Sequence, residues 1–129
     1  MGRNAIVRGA LAVSTPFNLA AAFVFAFPGS ALGQLQGLPS DAPALYRALV
    51  ALFLVLFAGA YAWLSVQKQI SRPLLALGAI GKAVAFLTFM SLALANLCPA
   101  RLALGSIGDA VLASIFAWWL FTSRQSAPQ

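Results

Sequence analysis

Leu75–Val84 reads LALGAIGKAV and Leu102–Val111 reads LALGSIGDAV, a near repeat that matches at eight of ten positions. The mismatches are Ala79 against Ser106 and Lys82 against Asp109, so one apolar frame carries a cation once and an anion once. Both copies lie inside long apolar segments, which places both charges within a membrane. Helical spacing sets Gly78 and Gly81 beside Lys82, and Gly105 and Gly108 beside Asp109, leaving two small-residue surfaces where backbones approach closely. Consecutive membrane helices run antiparallel, so the repeat becomes inverted, the symmetry from which transporters build midplane sites. Ala, Gly and Leu dominate the chain, and coincidence is the alternative account. Coincidence does not, however, oblige the variable polar position to change sign.

The 129 residues are 62% hydrophobic and 8% charged, with a mean hydropathy of +0.92. A water-soluble fold of this size cannot hide so much apolar surface, so the solvent is lipid. The one cysteine, Cys98, excludes an internal disulfide, a CxxC redox pair and a cysteine zinc site. Histidine and glutamate are absent, and the acids are Asp41 and Asp109 alone. No metal site, His-ligated haem or His general base is expected, and a two-carboxylate mechanism would have to join a loop residue to an intramembrane one. No cofactor is predicted. The net charge of +6 does not indicate nucleic acid, because the basic residues at 3, 8, 47, 68, 72, 82, 101 and 124 never cluster.

Four spans follow. Arg3 and Arg8 precede the apolar run 10–27. A secretory signal cleaved near Ala31–Gly33 is the competing reading, but Ser14, Thr15, Pro16 and Asn18 interrupt the run, and a first transmembrane helix kinked at Pro16 is preferred. Residues 28–43, PGSALGQLQGLPSDAP, form the polar loop, with room for a short helical turn around Leu32–Leu38. The second span covers 44–66, the third 73–97 with Pro73 in its first turn, and the fourth 102–121. The short turn Cys98–Arg101 makes the last two adjacent and antiparallel. With the N- and C-termini cytoplasmic, Arg3, Arg8, Lys68, Arg72 and Arg124 lie inside against Arg47 and Arg101 outside, five to two. Trp63, Trp118 and Trp119 then gather at the cytoplasmic interface, while Tyr61 lies near the inner end of the second span.

At about 1.5 Å per residue, Lys82 lies roughly 15 Å beyond Arg72 and Asp109 roughly 12 Å beyond Arg101, both near the middle of a hydrocarbon core about 30 Å thick. A lone charge there costs about 2.5 to 3.5 kcal/mol on insertion scales, so opposite charges on adjacent helices are expected to pair. Lys82 snorkelling to water is the alternative. Asn18 and Ser106 complete a candidate ligand site with Lys82 and Asp109, unless Asn18 only bonds the backbone that Pro16 opens. Tyr46, Arg47 and Arg101 form either a cationic outer mouth, with Arg47 a ligand contact, or plain interfacial anchors. Ala20–Ala22 and Ala58–Ala60, with Gly59 between, read as close-packing surfaces, and the phenylalanines as lipid-facing or core. Cys98 reads as a turn residue.

Four short helices, a Pro/Gly-rich first loop, the RPLLALGAIGK run from Arg72 and the Gly108–Asp109 pair resemble small bacterial membrane proteins of the DoxX-like kind. The resemblance implies a bacterial inner-membrane bundle, with quinone-linked redox chemistry in some relatives; no cofactor ligand carries over, since no position matches one. Small multidrug transporters are less similar, because they place an acid in the first helix where this chain has Asn18. The expected function is to bind an apolar small molecule, a lipid or a quinone at the polar centre. The alternatives are an accessory subunit docking a membrane partner, and a proton-coupled carrier of apolar cations titrating at Asp109, working as a homo-oligomer. A Lys beside an Asp has acid and base available, but no third orienting group is legible and no catalytic constellation is assigned.

Overall fold

The computed structural model describes residues 2–123; Met1 and residues 124–129, including Arg124 of the topology count, lie outside them. The protein is an all-α bundle. Its elements are α1 (Arg3–Ala26), α2 (Ala31–Leu35), α3 (Ala44–Val66), α4 (Arg72–Leu94), α5 (Ala100–Gly105) and α6 (Ile107–Thr122). Helices α1, α3, α4 and the combined α5–α6 run of Ala100–Thr122 are each long and apolar enough to cross a membrane, the pattern of a multi-pass membrane protein.

Local chemistry explains where the boundaries differ from expectation. The third span stops at Leu94, not near Leu97, because Asn96 takes the left-handed conformation at φ 57°. The Leu97 N–H then bonds Leu92 O at 2.8 Å and the Asn96 N–H bonds Ala93 O at 3.0 Å, the two bonds of a Schellman ending. Gly37, at φ 77°, ends α2 the same way, with Leu38 N bonded to Gly33 O at 3.1 Å. The fourth span is not one continuous helix over 102–121. Ser106 tightens it at φ −76°, ψ −7°, its hydroxyl donates back to Ala103 O at 2.6 Å, and α6 starts at Ile107. The first span begins earlier than expected, at Arg3, and continues through Pro16.

All neighbouring long helices are antiparallel. Thr15 meets Ala58 and Asn18 meets Leu54 between α1 and α3, while Lys82 meets Asp109 between α4 and α6. These are the two extensive pairings, joined by the lighter α1–α6 and α3–α4 contacts. The buried apolar cluster is confined to one end. Val7, Leu11, Tyr61, Leu64, Leu75, Leu112, Phe116 and Trp119 fill the half of the bundle that holds the start of α1. Towards the other end the packing loosens. Among the described residues α3 buries nothing before Ala58 and α4 nothing after Lys82.

Arginines tie down the packed end. Arg8 donates to Ser65 O at 2.7 Å, to Gln67 O and to Lys68 O at 3.1 Å, covering carbonyls that α3 leaves without helical partners. Arg72 does the same for α6 through Leu120 O and Ser123 Oγ, and Arg3 bonds Thr122 O at 2.8 Å. A cation at a helix C-terminus also meets the negative end of its dipole. Trp119 departs from its expected interfacial role: it is buried, and its indole N–H donates to Asn4 Oδ1 at 2.9 Å. Arg8→Ala is expected to lower stability by about 2 kcal/mol, against about 0.5 kcal/mol or less for exposed Arg101→Ala, in thermal unfolding of the detergent-solubilised protein.

Candidate functional site

The polar centre lies where the packed half gives way to the open half. Lys82 Nζ is 2.8 Å from Asp109 Oδ1 and donates also to Asn18 Oδ1 at 3.1 Å. Three helices are thereby joined through one ammonium. Two rings enclose it, with the Tyr61 centroid at 5.0 Å and the Phe17 centroid at 5.1 Å, within the range of cation–π attraction. The Lys82 side chain is 3% exposed and that of Asp109 15%.

Each partner has a local reason to be there. Pro16 has no N–H and interrupts the α1 ladder; nearby, Ser14 bonds Ala10 O at 2.8 Å and Thr15 bonds Leu11 O at 3.2 Å. Asn18 follows but makes no bond to the backbone of its own helix. Its amide reaches Leu54 O of α3 at 3.5 Å and its carbonyl accepts from Lys82. The break at Ser106 puts Asp109 in the first turn of α6, where the helix dipole favours a carboxylate. Tyr61 is 2% exposed and its hydroxyl donates to Gly78 O at 3.4 Å, so it is an interior residue.

The repeat glycines seat the rings. A Cβ on Gly78 would stand 2.8 Å from Tyr61 Cε1, and one on Gly108 would stand 2.8 Å from Phe17 Cε2. A Cβ on Gly81, equivalent to Gly108 in the repeat, would stand 3.4 Å from Phe57 Cε1, an ordinary contact. Gly59, expected to pack closely, faces open space instead.

Two clefts meet at Asp109. The larger, about 480 Å³, runs between α1, α3 and α4 over Phe53, Phe57, Ala85 and Phe89, with Asn18, Lys82 and Asp109 in its wall. The smaller, about 250 Å³, lies between α1 and α5 under Leu32 and Gln36 of the α2 region. Phe17, Ala21, Phe25, Phe89 and Asp109 line both, and the Phe25 and Phe89 rings stack at 6.2 Å between centroids.

Of the expected ligand residues, Asn18, Lys82 and Asp109 come together. Ser106 lines the smaller cleft, but its hydroxyl is taken by Ala103 O. Arg47 belongs elsewhere: it donates to Ala26 O at 3.0 Å, over the end of α1, while its buried Nε has no partner among the described residues. No hydrogen bond or ring contact among the described residues joins Tyr46, Arg47 and Arg101 into a mouth. Sequence reasoning missed Phe17 and Tyr61 as members of the centre. Their signal was indirect, the glycines that leave room for them. No family model matches the chain, and neither a curated protein nor a solved structure matches it.

Proposed function

We propose that this chain is a bacterial inner-membrane protein, with both termini cytoplasmic and an architecture similar to the DoxX-like kind, that holds an apolar small molecule or lipid against a midplane polar centre. The reading is carried by the one-sided filling of the bundle. One half is packed to an apolar core, and the other is left as a cleft of about 480 Å³ walled by aromatic and small aliphatic side chains. Ligand sites have this character, mostly apolar walls with a few convergent polar groups. Lys82 lies ten residues along α4 from Arg72, roughly 15 Å in, which puts the polar groups at the depth of a hydrocarbon midplane. The cytoplasmic assignment of the packed end is supported by Arg3, Arg8, Lys68 and Arg72, which gather there.

Ala21 borders both clefts and bonds none of the ion-pair groups, so a phenyl ring at that position takes up cleft space without removing a member of the pair. Native mass spectrometry of gently extracted protein is expected to retain a bound small molecule on the wild type and to lose it in Ala21→Phe. Equal retention in both, or none in the wild type, would remove the reading.

A further inference from the structure

The site's unspent hydrogen-bonding capacity defines what it would take. Lys82 gives its N–H groups to Asp109 and Asn18 and lies under two rings, with 3% of its side chain exposed. The Asn18 amide is directed at Leu54 O. Asp109 differs. Its Oδ1 accepts from Lys82, whereas Oδ2 accepts no hydrogen bond among the described residues and is not among the atoms sealed from solvent. Asp109 lines both clefts, so its accessible surface faces them. Thr88 and Gln36, which also line the clefts, each donate and accept and therefore do not discriminate, while the Ser106 and Tyr61 hydroxyls give their protons to Ala103 O and Gly78 O and so offer the clefts acceptor capacity alone. An ionised carboxylate only accepts, and an unmet hydrogen bond in an apolar cleft costs the ligand that cannot supply it.

We propose that Asp109 Oδ2 makes the cleft selective for apolar molecules that carry a hydrogen-bond donor, the hydroxyl of a long-chain alcohol or the ammonium of a long-chain amine, over acceptor-only molecules such as esters, ketones and oxidised quinones. This rests on the cleft being a ligand site, and narrows it to a chemical class. Asp109→Asn supplies a sharp test. The Asn carbonyl takes over the bond from Lys82, and the amide then presents N–H to the cleft where the carboxylate presented a lone pair, so the preference reverses.

The experiment is competition against radiolabelled dodecanol on the full-length protein in nanodiscs, using dodecanol, dodecylamine and methyl dodecanoate at matched membrane concentrations. The alcohol and the amine are expected to displace the label at concentrations about tenfold lower than the ester. Their order relative to one another identifies which donor the site takes. For Asp109→Asn, binding is followed with labelled methyl dodecanoate, and the ester is expected to lead. An ester that competes as well as the alcohol on the wild type overturns the donor preference while leaving the cleft a ligand site. Absence of saturable binding by all three overturns both. Should Asp109→Asn fail to fold, the wild-type ranking decides alone.

Discussion

Lys82→Ala is expected to destabilise the protein more than Lys82→Ala combined with Asp109→Ala. Both variants leave the same void where the lysine stem lay, so the comparison isolates the carboxylate. In the single variant Asp109 keeps its charge at the midplane, held only by the first turn of α6 and by what water enters the cleft, and breaking a buried pair in this way costs about 3 to 5 kcal/mol. Its side chain is 15% exposed, which places the expected loss near the lower end, about 3 kcal/mol. Removing the acid as well recovers about 2 kcal/mol of this, because no uncompensated charge remains. Asp109→Ala alone strands a lysine that is 3% exposed, with Asn18 and two aromatic faces as its remaining partners. It too is expected to be worse than the double variant. A double-mutant cycle on detergent-unfolding midpoints checks this, and additive losses would show that the two charges do not depend on one another.

That Lys82 and Asp109 meet was legible because two things are visible in the chain itself, the sign change within the repeat and the similar depths counted from Arg72 and from Arg101. The span count was legible for the same kind of reason: runs of apolar residues separated by prolines, glycines and charges need no tertiary information. The cover over the ammonium was not. Phe17 and Tyr61 are indistinguishable in the sequence from the exposed Phe53 and Phe27, since lipid and protein interior are equally apolar and no polar stripe marks the outside of a membrane helix. The emptiness of one half of the bundle was hidden by the same equivalence. Ala85 beside a cleft and Ala79 in the core are both alanines in a lipid-compatible helix. The arginines do more than a count of charges shows. Arg8 and Arg72 count towards the basic end of the bundle, yet their guanidinium groups are spent on the carbonyls that α3 and α6 leave open, contacts set by how the helix ends pair in space. Arg47, placed in a ligand mouth by its position, is likewise turned to the end of α1.

The glycines of the repeat are expected to split into two classes on replacement by alanine. Gly78→Ala drives a methyl to 2.8 Å from Tyr61 Cε1, and Gly108→Ala drives one to 2.8 Å from Phe17 Cε2; each ring must shift. Both rings border a cleft, but each is held where it is by what it touches. Tyr61 is held between Phe116, 5.9 Å away between centroids, and the Gly78 carbonyl that its hydroxyl bonds, while Phe17 lies over the ammonium. Overpacking of this kind costs about 1 to 3 kcal/mol. It also lifts an aromatic face from Lys82, whose cation–π attraction is worth about 2 kcal/mol or more where water is excluded. A loss of about 2 kcal/mol in each variant is therefore expected. Gly59→Ala meets nothing within 4 Å and removes a flexible residue from the interior of α3, so it is expected to be neutral or to stabilise by about 0.5 to 1 kcal/mol. Combining Gly78→Ala with Tyr61→Leu removes the ring that the methyl meets, so the cost of the methyl is expected to vanish and the double variant to match Tyr61→Leu alone; an undiminished cost of Gly78→Ala in that background would show that the ring is not what the methyl strikes.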